Sequence, residues 1–171
     1  VRPMTAKTYQ VNELFYSLQG EGRRAGTANV FLRFSGCNLR CNEAEHGFDC
    51  DTEFSSGRSF TLDELVKEVK SIAGPCRWVI ATGGEPSLQL DGALVDALHA
   101  EGFQIAVETN GTKSLPLVDW ISCSPKTAEH TLKLQRADEL RYVRSSGQGI
   151  PRPAIKADRL FISPAFTPDG T

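Results

Sequence analysis

Apolar residues come in short clusters along this chain, separated by polar segments that carry glycine. Val11 to Ser17 alternates loosely and ends in the turn Leu18-Gln19-Gly20-Glu21-Gly22. Asn29 to Ser35 reads as a buried strand that delivers its end into a cysteine-bearing loop running to about Arg58. Thr61 followed by Glu64 is a capping box, and Leu62, Leu65, Val66, Val69 and Ile72 give the ensuing helix one apolar face before Gly74-Pro75 stops it. Trp78 to Ala81 is a short strand entering Thr82-Gly83-Gly84-Glu85-Pro86. A second helix carries Leu90, Leu94, Val95 and Leu98 and ends near Gly102. Gln104 to Glu108 and Trp120 to Cys123 are further strands; Leu140 to Val143 and Arg159 to Ile162 are later strand candidates, with a connection at Gln148 to Arg152.

Strand and helix in this rhythm predict an α/β fold with mostly parallel strands and right-handed crossovers. In such folds ligands bind at the carboxyl ends of the strands. Four polar segments are predicted there: the cysteine loop, Gly83-Gly84-Glu85-Pro86, Glu108-Thr109-Asn110 and Ser124-Pro125-Lys126.

The 171 residues suit a single domain with a real core, Val1-Arg2-Pro3 being left out of the fold reasoning. A net charge of −2 without a basic block argues against a sequence-independent grip on nucleic acid. No apolar run approaches a membrane span, and no signal pattern opens the chain. Five cysteines, an odd number, argue for a reducing compartment, so a cytoplasmic location is expected.

Three of the five cysteines, Cys37, Cys41 and Cys50, share one polar loop, whereas Cys76 and Cys123 fall at strand starts and ends, where core cysteines are common. Three thiolates can hold three irons of a four-iron, four-sulfur cluster and leave the fourth open to an outside ligand. The alternative is zinc, with His46 as fourth ligand. Paired glycines at Gly83-Gly84 mark either a turn or close backbone approach to a ligand, with the Glu85 carboxylate able to accept from an amino group. Arg33 inside an apolar strand is costly without a partner, which a surface ion pair or the carboxylate of a ligand would supply.

Three cysteines after one core strand, then Gly-Gly-Glu-Pro after another, resemble a radical S-adenosylmethionine enzyme. Ser17-Leu18-Gln19-Gly20-Glu21-Gly22, Arg33 before Gly36-Cys37, Cys50-Asp51-Thr52, Val107 to Thr112 and Ser124-Pro125-Lys126 more closely resemble the 7-carboxy-7-deazaguanine synthases of the queuosine pathway. The resemblance implies a partial, incomplete (β/α) barrel, a homodimer, and an external electron donor such as flavodoxin. It places the 4Fe-4S cluster on Cys37, Cys41 and Cys50. S-adenosyl-L-methionine would lie against Asp49, Cys50, Asp51, Gly83, Gly84, Glu85, Glu108, Ser124, Pro125, Lys126 and Ser163, Pro164, Ala165, Phe166. The substrate, 6-carboxy-5,6,7,8-tetrahydropterin, would meet Leu18, Gln19, Gly20, Glu21, Arg33 and Thr82, and Thr52 would bind Mg2+. No side chain is assigned a catalytic role, because a 5′-deoxyadenosyl radical would take hydrogen from C6 of the pterin before ring contraction and loss of ammonia.

Two departures accompany the resemblance. Radical S-adenosylmethionine enzymes commonly space their cysteines C-x3-C-x2-C; here Asn42 to Gly47 reads as an insertion ahead of Cys50. The family also continues past the Asp169-Gly170 region with a helix, a strand and a Gln-x-His-Lys segment, which are expected to help close the substrate pocket. A radical activase of a glycyl-radical enzyme shares the cysteines and Gly-Gly-Glu-Pro but not Leu18 to Gly22 or Cys50-Asp51-Thr52. A zinc-stabilised binding module is the reading from a different class.

Overall fold

The computed structural model describes residues 7–149 and 151–165. Among these residues eight strands form one sheet: β1 (Thr8–Leu18), β2 (Ala28–Phe34), β3 (Arg58–Thr61), β4 (Trp78–Gly83), β5 (Gln104–Thr109), β6 (Trp120–Cys123), β7 (Arg136–Arg144) and β8 (Lys156–Pro164). Their order is β3-β1-β2-β4-β5-β6-β7-β8. β1 pairs antiparallel with β2 and β3, and every pairing from β2 to β8 is parallel. β3 and β8 are the two edges, so the sheet is an open α/β arrangement, mostly parallel and not closed into a barrel.

Among the described residues three α-helices accompany it: α1 (Glu43–His46), α2 (Leu62–Ala73) and α3 (Gly92–Ala100). α2 begins where the capping box predicts, with the Thr61 N–H donating to Glu64 Oε2 at 2.8 Å and the Glu64 N–H to Thr61 Oγ1 at 3.4 Å. Leu65, Val69 and Ala73 bury its apolar face, and Leu94, Val95 and Leu98 do the same for α3. Both pack with Val30, Leu32, Phe34, Val79, Ala81, Ile105 and Val107 in the largest core cluster. Burying one such side chain contributes roughly 1.5–3 kcal/mol.

The pattern misjudges several elements. β1 is longer than predicted and belongs to an antiparallel hairpin. β3 begins where the cysteine loop is predicted to end and is not predicted as a strand: four residues are too few to show a period, and its register against Thr8–Val11 makes it one. Leu90 is buried but precedes α3. After β5 the helical rhythm stops. Segments 110–119, 124–135 and 145–155 hold no α-helix among the described residues, only a single 3₁₀ turn at Glu129–Thr131. There Leu132, Leu134 and Ile155 cover the sheet in place of helices. The connection at Gln148 to Arg152 carries neither helix nor strand among its described residues.

The other face of the sheet positions the site. Its lower layer is apolar: Phe31, Ile80 and Ala106, with Phe15, Trp78 and Trp120 against them. Two residues further along each strand the layer turns polar. Arg33 stands beside Thr82, Glu108 beside Ser122, and Ser122 beside Glu139, while the Thr82 hydroxyl donates to Glu108 Oε2 at 3.1 Å. This period-two alternation brings polar groups from five strands to one level near their carboxyl ends.

Candidate active site

Above that polar layer lies a cavity of about 670 Å³. Cys37, Cys41 and Cys50 are on its wall, with Asp49, Asp51 and Thr52, then Thr82, Gly83, Gly84 and Glu108. Glu21, Ser124, Lys126, Ser163, Pro164 and Ala165 complete the predicted residues that line it.

The cysteine loop is seated by its neighbours. Gly36 N–H donates to Phe54 O at 2.7 Å, Glu85 N–H to Gly36 O at 2.9 Å, and Gly84 N–H to Phe34 O at 3.2 Å. A Cβ on Gly84 would overlap Gly36 O, and one on Gly83, at φ +126°, would overlap Phe34 O. Both glycines therefore have a packing reason within the chain itself: they let β4's end lie against the backbone that carries Cys37. Asn38 adds a latch, its Oδ1 accepting from Asn110 Nδ2 at 3.1 Å and its Nδ2 donating to Thr112 Oγ1 at 2.9 Å.

All three loop thiols are unpaired. Burial pushes the Cys37 thiol above its ordinary pKa, opposed by the Leu39 N–H donating to its sulfur at 3.4 Å. Burial also raises Cys41, opposed by the Lys126 ammonium. Lys126, itself pulled down by burial, reaches Ser124 Oγ at 2.8 Å and lies 4.9 Å from the Phe48 ring centroid. Three thiols on one wall fit a cluster that takes each thiolate on a separate iron. Among the described residues no three His, Cys, Asp or Glu side chains are grouped to hold a single ion. His46 Nδ1 accepts from the Asn42 N–H at 3.2 Å, so the imidazole closes the α1 turn inside the insertion.

Glu85 is buried, and it faces the protein rather than the cavity. Its carboxylate accepts from Thr109 Oγ1 at 2.6 Å, the Asn110 N–H at 2.7 Å and the Ser87 N–H at 3.0 Å. Gln19 is likewise occupied, its Nε2 donating to Glu108 Oε1 at 2.9 Å and its Oε1 accepting from the Glu21 N–H at 3.1 Å. Neither residue lines the cavity; nor do Leu18, Gly20 or the buried Pro125. Phe166 lies outside the described residues. Arg33 borders a second cavity of about 400 Å³, where its Nε is 2.9 Å from Glu13 Oε2. Asp51 and Thr52 line both cavities, which join the two regions.

One charged cavity residue, Arg141, escaped the sequence reading. Arg141, on β7, has a side chain only 6% exposed and meets three carboxylates. Its Nη2 is 2.6 Å from Glu108 Oε1, its Nη1 2.8 Å from Glu21 Oε2, and its Nε 3.3 Å from Glu139 Oε1. Glu139 also accepts from the Arg23 N–H at 2.9 Å and Ser122 Oγ at 2.8 Å. Gly22, at φ +67°, packs against this carboxylate with no room for a Cβ. Burial alone would raise the Glu108 pKa; the Arg141 charge and the bonds from Arg141, Gln19 and Thr82 hold it below the ordinary carboxylate range instead. The signal was present: a lone arginine within Leu140-Arg141-Tyr142-Val143 is as costly there as Arg33 is in β2.

A parallel sheet with three cysteines, a glycine pair and polar strand ends on one cavity defines the class, radical S-adenosylmethionine enzymes, and residues 32–144 match the family model described as the radical SAM superfamily. The 7-carboxy-7-deazaguanine synthase of Bacteroides thetaiotaomicron is 46% identical over 157 residues, spanning 91% of this chain and 81% of the relative. That of Caulobacter vibrioides is 43% identical over 179 residues, with 95% and 85% covered. Within the class, the chain belongs to the 7-carboxy-7-deazaguanine synthase family. The crystal structure of QueE from Escherichia coli, 22% identical, shares the fold with a TM-score of 0.72 over 95% of this chain and 86% of that one.

Proposed function

We propose that the protein converts 6-carboxy-5,6,7,8-tetrahydropterin to 7-carboxy-7-deazaguanine with release of ammonia. The observation that carries this reading is the single cavity on which Cys37, Cys41, Cys50, Gly84 and Glu108 meet. Cys37, Cys41 and Cys50 would hold the 4Fe-4S cluster. Gly83 and Gly84 would offer backbone to the methionine end of S-adenosylmethionine. Glu108, Ser124, Lys126, Ser163, Pro164 and Ala165 would serve the rest of the cofactor, as would Asp49, Cys50 and Asp51; all line the same cavity. When bound, reduced cluster and S-adenosylmethionine supply the one-electron chemistry that starts the rearrangement.

The chain's own residues bind, orient and exclude water. Thr82 and Glu21 reach the cavity directly. Gln19, with Leu18 and Gly20 beside it, would act by fixing the loop that carries Glu21, because its amide is already bonded at both ends. Arg33 and Thr52 share the second cavity. There Arg33 would pair with the substrate carboxylate and Thr52 would help hold Mg2+ against it. Glu85 would serve the cofactor by holding the Thr109–Asn110 backbone. We further propose a cytoplasmic homodimer reduced by an external donor such as flavodoxin; among the described residues no helix is long and apolar enough to cross a membrane.

Protein reconstituted with iron and sulfide without oxygen, then reduced with both small molecules present, tests this by mass spectrometry. 7-Carboxy-7-deazaguanine is the expected product. 5′-Deoxyadenosine alone would point to an activase, and a colourless zinc protein would overturn the assignment.

A further inference from the structure

We propose that Arg141 is a positioning residue for cofactor binding, holding the Glu108 carboxylate at the cavity wall as a charged acceptor. This rests on the reading above that S-adenosylmethionine occupies the cavity. The Arg141 side chain is 6% exposed, Glu139 is 2% exposed, and Glu108 is mostly enclosed. One buried guanidinium thus stands among three carboxylates. Two of its nitrogens are at hydrogen-bond distance, on Glu108 from β5 and on Glu21 from the β1–β2 connection.

The remaining groups around Glu108 cannot replace that charge. Gln19 and Thr82 are neutral donors, and Ser122, its neighbour on β6, donates to Glu139. Glu21 and Glu139 bring further negative charge from the hairpin and from β7. Lys126, from the segment after β6, is bonded to Ser124 and stacked on Phe48. Without Arg141, crowded carboxylates in a poorly solvated site cannot all stay ionised, and one takes up a proton. A protonated Glu108 would lose an acceptor site facing the cavity. The adenosyl ribose offers two hydroxyl donors, which are the chemistry a charged carboxylate receives best.

The test is binding of S-adenosylmethionine to oxidised, cluster-loaded protein, measured by calorimetry between about pH 6 and 8.5, a range that brackets a displaced carboxylate pKa. Each variant's affinity is read as a ratio to wild type at the same pH, so that titration of the ligand's own α-amino group, at about 7.7–8.0, cancels. Arg141→Gln should bind roughly tenfold more weakly at the acid end and approach wild type at the alkaline end, as one differential proton implies. Arg141→Lys keeps a charge and should weaken binding without a slope. Glu108→Gln should be level, and adding Arg141→Gln to it should change affinity little, since the two act as one unit. An Arg141→Gln loss equal at every pH, or no loss, overturns the proposal. If that variant does not fold, Arg141→Lys decides: a slope, or wild-type affinity, overturns it. Wild-type protein that loads a cluster but ignores S-adenosylmethionine would instead sink the underlying reading, and this proposal with it.

Discussion

The Thr109 hydroxyl donates to Glu85 Oε1 at 2.6 Å, and the next residue's N–H donates to the other oxygen. The acid of Gly-Gly-Glu-Pro thus fastens the end of β4 to the end of β5. Thr109→Val should lower unfolding free energy by about 1–3 kcal/mol, the range for a buried charged acceptor losing a donor. Chemical denaturation checks this. Glu85→Gln turns an amide group toward donors and should cost at least as much.

Gly84→Ala should affect the cluster more than the fold. The added methyl meets Gly36 O and the Cys37 Cβ, so the cysteine loop has to retreat. Iron content and iron–sulfur absorbance after reconstitution should fall severalfold, while far-ultraviolet circular dichroism stays close to wild type.

Thr61→Ala removes half of the capping box far from the cavity. It should destabilise the protein by about 1 kcal/mol, a typical N-cap loss. Product formation per loaded cluster should not change.

Stability should decline in alkali. Burial pushes the Cys123 thiol from an ordinary 9.0 up to about 12. A raised thiol pKa means that above pH 9 the unfolded chain releases a proton the folded chain keeps. Stability is therefore full below pH 9 and falls by about 1.4 kcal/mol per pH unit until the folded pKa is reached. Burial also raises Tyr9 and Tyr142, which add a loss of the same sign from about pH 10. Cys37 and Cys41, also raised by burial, add a loss of the same sign, so urea melts of Cys123→Ala should shrink the part that begins near pH 9 and retain the later one.

Much of this was legible because it obeyed local rules. Thr61 and Glu64 announced α2, and the apolar spacing of Leu65 and Val69 named its buried face. Cys37, Cys41, Cys50, Gly84 and Glu108 were picked from strand ends and share a cavity. The remainder depended on tertiary partners. Arg58–Thr61 is a strand only because β1 lies beside it. The absent helices after β5 are replaced by Leu132, Leu134 and Ile155, whose spacing advertises nothing. Gln19 and Glu85 have suitable chemistry for ligands, yet Gln19 is held by Glu108 and the Glu21 N–H, and Glu85 by Thr109, the Asn110 N–H and the Ser87 N–H. Arg141 looked like one more strand residue until Glu21, Glu108 and Glu139 were placed around it.

The clasp from Ser163 to Glu21 joins residues 142 positions apart, and that from Arg141 to Glu21 spans 120. A chain emerges from the ribosome N-terminus first, and distant strand pairings form slowly. The three loop cysteines are therefore synthesised well before β7 and β8, which supply other residues of the same cavity. A nascent chain carries those thiols without β7 and β8 beside them throughout that interval.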